Sequence, residues 1–180
     1  SAIYSAIVYA VDNGAQVINL SLGTSPGTPR SGVTAMEQAI AYAGTRGVTV
    51  VAAAGNNGVD IGASAVYPAN FSLYYSHVIT IGATTNSDTR ASFSNHGTPV
   101  NLYAPGWWMW STVPGSWDWM SGTSMATPVV AGGVADLLAS GQVTPSADGG
   151  PPKEVLELKE RGGKQGMYSG LLHLMFLLLM

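Results

Sequence analysis

The segment from Gly122 to Pro128 places a serine where a nucleophile could work. Ser124 follows Gly-Thr at the start of a run of small residues, which predicts a helix over 123–139 with Thr123 as its N-cap. Backbone N–H groups at a helix N-terminus lack partners within the helix and carry partial positive charge, so they can stabilise an oxyanion beside the serine. A serine at a helix start more often only caps the helix, and this segment alone leaves that alternative open.

Helices and strands alternate along most of the chain, as in proteins with a helix-covered parallel sheet. A first helix is predicted to end at Asn13-Gly14, and the run from Val48 to Ala54 has the apolar, β-branched composition of a strand buried on both faces. The other predicted elements are a helix over 34–43 and strands over 17–22, 78–83 and 100–104. This order predicts an α/β fold.

Three motifs closely resemble, in the same order, those of the subtilases, the subtilisin-like serine endopeptidases. They are Val17-Ile-Asn-Leu-Ser-Leu-Gly23, Val50-Val-Ala-Ala-Ala-Gly-Asn56 and Gly122-Thr-Ser-Met-Ala-Thr-Pro128. Shorter matches are Tyr67-Pro-Ala69, Arg90-Ala-Ser-Phe-Ser-Asn95 and Ala104-Pro-Gly106, so the similarity covers about residues 1 to 140. The resemblance implies a three-layer fold, a parallel sheet with helices on both faces, whose N-terminal part is missing from this chain.

The resemblance also assigns roles to the matching residues. Ser124 would be the nucleophile that attacks a peptide carbonyl and becomes acylated. Asn56 would donate its amide N–H to the oxyanion, together with the Ser124 backbone N–H, the alternative being an ordinary turn. Two segments would edge a cleft in which the peptide lies as an extended strand: Ser21, Leu22, Gly23, Ala53, Ala54 and Gly55. Neither segment contains an acidic residue, which favours apolar or aromatic over basic side chains before the scissile bond.

A serine nucleophile needs a base, and the subtilases place an aspartate and a histidine upstream of the serine. Asp60, His77 and Ser124 occur in that order, but neither of the first two has the family's Asp-Thr/Ser-Gly or His-Gly-Thr-His context. His96 begins a partial match in the region of a late structural turn, so we interpret it as a loop residue. The prediction is a nucleophile and an oxyanion hole without the Asp and His of the triad, in a chain that is nearly inactive alone.

The composition excludes several classes of partner. Only 9% of the 180 residues are charged, the net charge is −3, and three Lys or Arg precede residue 150, too few for a nucleic-acid surface. The longest apolar run, 171–180, is shorter than the roughly 18 residues that a membrane span needs. The expected partners are a polypeptide substrate and the missing N-terminal segment of the same domain. The resemblance implies a secreted or extracellular protein.

No cofactor is expected for the chemistry, and none of the residues is predicted to bind a metal ion. Asn101 stands where many subtilases have an aspartate that helps to hold a weakly bound cation, and a neutral amide lowers the affinity for that cation. A structural calcium ion is therefore an expectation only for the full-length parent.

Two segments have no counterpart in the resemblance. All five tryptophans lie between residues 107 and 119, and they predict either a substrate-contacting aromatic rim or, as we favour, a strand pair packed against the domain. We assign residues 1–142 to a partial catalytic domain and 143–180 to a linker and tail outside the family. The tail is either an amphipathic docking or membrane-surface element or, as we favour, artefactual sequence from outside the true domain.

Two other classes of function stay open. One is a catalytically inactive domain that binds a peptide or a partner. The other is a nucleotide-binding α/β domain that uses the turn from Gly55 to Gly58 for phosphate, which is less favoured because no Gly-x-Gly-x-x-Gly or Gly-Lys-Ser/Thr motif is present.

Overall fold

A four-stranded parallel sheet organises the part of the chain that the structure describes, residues 1–141 of a computed structural model. Its strands are β1 (Val17–Leu20), β2 (Thr49–Ala53), β3 (Val78–Thr84) and β4 (Leu102–Pro105), and they lie side by side in sequence order. Every residue of β2 and β3 is buried, as the continuous apolar runs predict. The predicted parallel α/β sheet is confirmed, with β1 ending two residues earlier and β4 beginning two residues later than predicted.

Helices cover both faces of the sheet. The helices α1 (Ala2–Asp12) and α2 (Thr34–Thr45) pack on one face, and α3 (Thr123–Ala139) packs on the other. Successive residues of a strand point to opposite faces, so Val50 joins the core under α1 and α2 whereas Val51 joins the core under α3. The predicted three-layer arrangement is confirmed.

The helix ends follow local chemistry. The Ser1 side chain accepts the Tyr4 N–H at the start of α1, and Gly14 with φ of +83° follows its end, as the Asn-Gly signal predicts. The helix α2 continues two residues past the predicted end at Ala43, and Gly44 packs within it against the buried ring of His77.

A hairpin of two antiparallel strands follows the sheet. The strands β5 (Met109–Val113) and β6 (Ser116–Met120) are joined by a two-residue turn, in which Gly115 has a φ of +75°. The predicted packing of this strand pair is right for Trp107, whose ring stacks on Phe93 at 5.6 Å. It is wrong for the other four tryptophans, which are 52–57% exposed. The strand pairing determines which side chains share a face of the hairpin, but it does not determine whether another part of the domain covers that face.

No helix within residues 1–141 is long and apolar enough to cross a membrane. The predictions for the linker and tail, 143–180, fall outside the described residues.

Candidate active site

Two neighbouring strands deliver polar residues to the same edge of the sheet. Ser21 follows β1 and Asn56 comes three residues after the end of β2, so both lie beyond the carboxyl ends of parallel strands. Ligand sites of open α/β sheets form at this edge. The N-terminus of α3 meets both residues there, since Ser21 is hydrogen-bonded to Ser124 and Asn56 to Thr123. The structure therefore brings the predicted nucleophile and the predicted oxyanion donor to one place.

The hydroxyl and the carbonyl of Ser124 both bond to Ser21. The Ser124 hydroxyl donates to the Ser21 carbonyl at 3.3 Å, and the Ser21 hydroxyl donates to the Ser124 carbonyl at 2.9 Å. The second bond compensates for Pro128 in α3, which has no N–H to offer the carbonyl four residues before it. Ser21 thus satisfies the carbonyl that the proline leaves open and ties the first turn of α3 to the sheet.

The Asn56 side chain is oriented through its oxygen. Oδ1 of Asn56 accepts hydrogen bonds from the Thr123 backbone N–H at 2.8 Å and from the Thr123 hydroxyl at 2.9 Å. The same hydroxyl accepts the Gly55 N–H at 3.0 Å, which closes the network. Because two donors hold the oxygen, the amide nitrogen Nδ2 is the free end of the side chain, and it lies beside Gly122.

The space beside Gly122 is bordered by two N–H donors. A Cβ atom built on Gly122 would lie 3.2 Å from Asn56 Nδ2 and 3.7 Å from the Ser124 backbone nitrogen. The Ser124 N–H is in the first turn of α3, where the helix provides no acceptor, and it finds none within residues 1–141. The missing side chain at Gly122 therefore leaves room for an oxyanion between the two donors.

The buried side chain of Asn95 is hydrogen-bonded to the turn that follows β2. Its Oδ1 accepts the N–H groups of Asn57 and Val59 at 3.0 and 3.1 Å, and its Nδ2 donates to the Ala54 carbonyl at 2.8 Å. Asn95 is fully buried, and a Cβ atom on Gly55 would lie only 2.5 Å from its Nδ2. Any larger residue at Gly55 would displace the side chain that fixes the turn.

The two segments predicted to edge a cleft differ in what they can offer a peptide. The N–H and C=O groups of Leu22 and Gly23 find no hydrogen-bond partner within residues 1–141. In the other segment, Ala54 and Gly55 use both their N–H and C=O groups inside the domain, and the side chains of Ala53 and Ala54 are buried. A peptide can add as a strand along the first segment, whereas the second can only form a wall.

The upstream histidines and Asp60 are engaged elsewhere. His77 is 5% exposed, its Nε2 lies 2.8 Å from the Ile40 carbonyl oxygen, and burial lowers its pKa. Asp60 accepts the N–H two residues later in its own turn at 2.7 Å, and His96 pairs with Asp60 through the backbone. Within residues 1–141 the Ser124 hydroxyl has a backbone carbonyl, and neither an imidazole nor a carboxylate, as its hydrogen-bond partner.

The side chain of Asn101, which was predicted to lower the affinity for a cation, is hydrogen-bonded to the backbone. Oδ1 of Asn101 accepts the Thr80 N–H at 2.9 Å. A neutral amide oxygen is a weaker ligand for a divalent cation than a carboxylate, and the hydrogen bond uses one of its two lone pairs. Among residues 1–141 no three acidic, His or Cys side chains come together.

Sequence reasoning missed the supporting roles of three residues. The prediction of Thr123 as N-cap is wrong, because Gly122 is the cap and Thr123 is the first helical residue, which orients the amide of Asn56. Asn95 had no signal beyond its place in a short motif. For Ser21 a signal did exist, since Pro128 lies four residues after Ser124 and must leave that carbonyl without a helical donor.

The fold and this arrangement define a class of protein: the chain belongs to the subtilase family, whose profile it matches over residues 1–149. It is 47% identical over 141 residues to thermitase of Thermoactinomyces vulgaris, an alignment that covers 78% of this chain and 46% of thermitase. It is 50% identical over 141 residues to a thermophilic serine proteinase of Bacillus sp. strain AK1, covering 78% of this chain and 32% of that protein.

A solved structure agrees with these relatives. The crystal structure of a cold-adapted subtilisin-like serine proteinase matches with a TM-score of 0.66 and 35% identity, covering 87% of this chain and 51% of that one. The chain therefore spans about half the length, or less, of the relatives that it matches.

Proposed function

We propose that this chain is the nucleophile-bearing part of a serine endopeptidase that hydrolyses peptide bonds through an acyl-enzyme. The proposal rests above all on the space beside Gly122, where the amide of Asn56 and the backbone N–H of Ser124 face one another next to the Ser124 hydroxyl. Donors aimed at a developing oxyanion are the largest single contribution to many acyl-transfer reactions. The named serine proteinases among the relatives support the same reaction.

The steps assigned to this chain are attack and charge stabilisation. Oγ of Ser124 attacks the carbonyl carbon of the peptide, the carbonyl oxygen becomes an oxyanion between the two donors, and the amine leaves as the acyl-enzyme forms. Water then hydrolyses the acyl group. The attacking hydroxyl must lose its proton, and its hydrogen-bond partner here, the Ser21 carbonyl, is not basic enough to take it. The base is therefore expected from a histidine supplied by another segment, which would take this proton and pass it to the departing amine.

The substrate is proposed to be an extended polypeptide. The open N–H and C=O groups of Leu22 and Gly23 suit an added strand. The buried wall formed by Ala53 and Ala54 carries no charge, which favours an apolar or aromatic side chain before the scissile bond. The further partner is the segment that supplies the aspartate and histidine of the triad. By family resemblance we also propose a secreted or extracellular location.

A complementation experiment tests the proposal. The chain is refolded with the part of thermitase that precedes the aligned region, and hydrolysis of a chromogenic peptide with an aromatic residue before the scissile bond is measured. We expect activity from the mixture only, and its loss in Ser124→Ala. The matched control is Ser140→Ala, which removes a serine hydroxyl bonded within the C-terminal turn of α3 and should leave activity unchanged.

The inactive peptide-binding domain is the competing outcome of this experiment. A mixture that forms a folded complex, binds the peptide and yet hydrolyses nothing would establish the binding function instead. Activity that survives Ser124→Ala would contradict the assignment of the nucleophile.

A further inference from the structure

One face of the hairpin presents a row of four tryptophan rings. Residues directly opposite each other in an antiparallel pair share a face, and Trp110 is opposite Trp119. Ring centroids follow one another along the row at 6.2 Å from Trp108 to Trp119, 5.2 Å from Trp119 to Trp110, and 6.4 Å from Trp110 to Trp117. We call this row the tryptophan face.

The tryptophan face is unusually exposed for its chemistry. Each of its four tryptophan residues is 52–57% exposed, which amounts to roughly 500 Å² of mainly aromatic surface. The largest apolar patch on a soluble monomer typically measures about 300–600 Å² and is often functional, so this face is a candidate interaction site. The four indole N–H groups find no acceptor within residues 1–141, so each ring also has a hydrogen-bond donor to offer.

Backbone strain at one end of the row supports a role beyond folding. Trp108 has a φ of +52°, a conformation that is rare for bulky side chains and costs about 1–3 kcal/mol. In this conformation its N–H donates to the Ser121 hydroxyl at 2.9 Å, and its ring joins the row beside Trp119. The strain therefore extends the face by one ring.

The charge on the hairpin itself argues against several stacking ligands. Asp118 is the one charged residue between positions 106 and 122, and its place opposite Ser111 puts it on the other face of the hairpin. Nucleobases stack on tryptophan, but their phosphates need lysine or arginine nearby. An anionic lipid surface is disfavoured because the hairpin carries no cation to attract its headgroups. A symmetric pair of these faces would bury about 1,000 Å², less than a stable dimer interface needs.

We propose that the tryptophan face binds a linear, uncharged polysaccharide. The C–H groups on the flat side of a sugar ring suit the electron-rich face of an indole, and sugar hydroxyls can accept the free indole N–H groups. Thr112 and Ser121 stand on the same face at the two ends of the row and add hydroxyl groups. Such binding would hold the protein on a polysaccharide surface. It needs no hydrolysis, so it stands or falls separately from the proposed peptidase function.

Calorimetric titration of the 180-residue chain with cello-oligosaccharides and chito-oligosaccharides of one to six units tests the proposal. Affinity for at least one series should rise with length until the row is filled, and then level off. Replacing Trp110 and Trp117 by threonine should weaken binding by about tenfold or more, the order of effect when an aromatic platform loses stacking rings. The control is Tyr9→Ala, because Tyr9 is 70% exposed on α1 and should not contribute.

The results that overturn the proposal are equally specific. The first is an unmodified chain that binds neither oligosaccharide series and is not retained by cellulose or chitin. The second is a chain that binds phosphatidylcholine vesicles but no sugar. The third is a chain that self-associates through these rings without binding sugar. Undiminished binding by a double variant whose thermal unfolding remains cooperative would also overturn it. The titration of the unmodified chain decides the question even where that variant does not fold.

Discussion

The hydrogen bond from the Ser21 hydroxyl to the Ser124 carbonyl should stabilise the domain to an extent that depends on Pro128. In Ser21→Ala the carbonyl loses its donor, and the proline four residues later provides none. Leaving such a group unsatisfied costs about 1–3 kcal/mol, and the partial burial of this pair favours the lower half of that range. The expected decrease in the free energy of unfolding is therefore about 1–2 kcal/mol.

A double-mutant cycle separates this explanation from simple loss of contact. In Pro128→Ala the new N–H can donate to the Ser124 carbonyl, so Ser21→Ala should cost much less in that background, with a coupling energy of about 1 kcal/mol. Urea unfolding followed by circular dichroism gives the four free energies, with unchanged m-values as the check on comparable transitions. Ser140→Ala, which removes an exposed hydroxyl bonded to a carbonyl in the same helix, should cost close to nothing. Equal costs of Ser21→Ala with and without Pro128 would refute the reasoning.

Four further tests address the remaining parts of the structure. In the complemented enzyme, Asn56→Leu should lower kcat by about 10²–10³ with little change in KM, the magnitude typical of removing one oxyanion-hole donor; an unchanged kcat would remove that residue from the oxyanion hole. Asn95→Ala should lower the free energy of unfolding by about 3 kcal/mol, since one buried and two partly buried hydrogen bonds lose their partner, and a cost below 1 kcal/mol in urea unfolding would contradict this. Gly44→Ala should destabilise the domain by about 1–3 kcal/mol because its Cβ would lie 2.6 Å from His77 Nδ1. The control Gly132→Ala has open space around it and should stabilise the domain by about 0.5–1 kcal/mol. Equal shifts of the unfolding temperature in the two variants would disprove the clash. Burial lowers the pKa of His77 below its ordinary 6.5, so the unfolded chain takes up a proton at higher pH than the folded chain. The free energy of unfolding should therefore decrease as the pH drops below about 6.5. His77→Gln should flatten this pH dependence, as measured by urea unfolding.

The elements that could be predicted from the sequence are those with a local signal. The apolar run of β2 and the small-residue helix α3 are each contained in one stretch of chain, and both were located to within a residue or two. The motifs around Ser124 and Asn56 identified the family, because their residue types and order are specific. Their placement at one edge followed from parallel strands.

The parts that could not be predicted depend on contacts between distant positions. Asn95 supports a turn some 40 residues before it, and no local pattern distinguishes it from an ordinary polar loop residue. The four exposed tryptophans were expected to be packed, because residue type predicts burial only on average. Whether a face is covered depends on what the rest of the chain places against it.

The hydrogen bond between Asn56 and Thr123 also has a consequence for the order in which the site matures. The two residues are 67 positions apart, so a chain synthesised from its N-terminus makes the amide long before the helix that orients it. Contacts of such separation form slowly and late, because the intervening chain must first be ordered. The donor pair is therefore complete only after α3 has docked. A ribosome-bound chain that ends before α3 carries the amide of Asn56 but not Ser124, so the proposed peptidase site would form only once the sheet and α3 have come together.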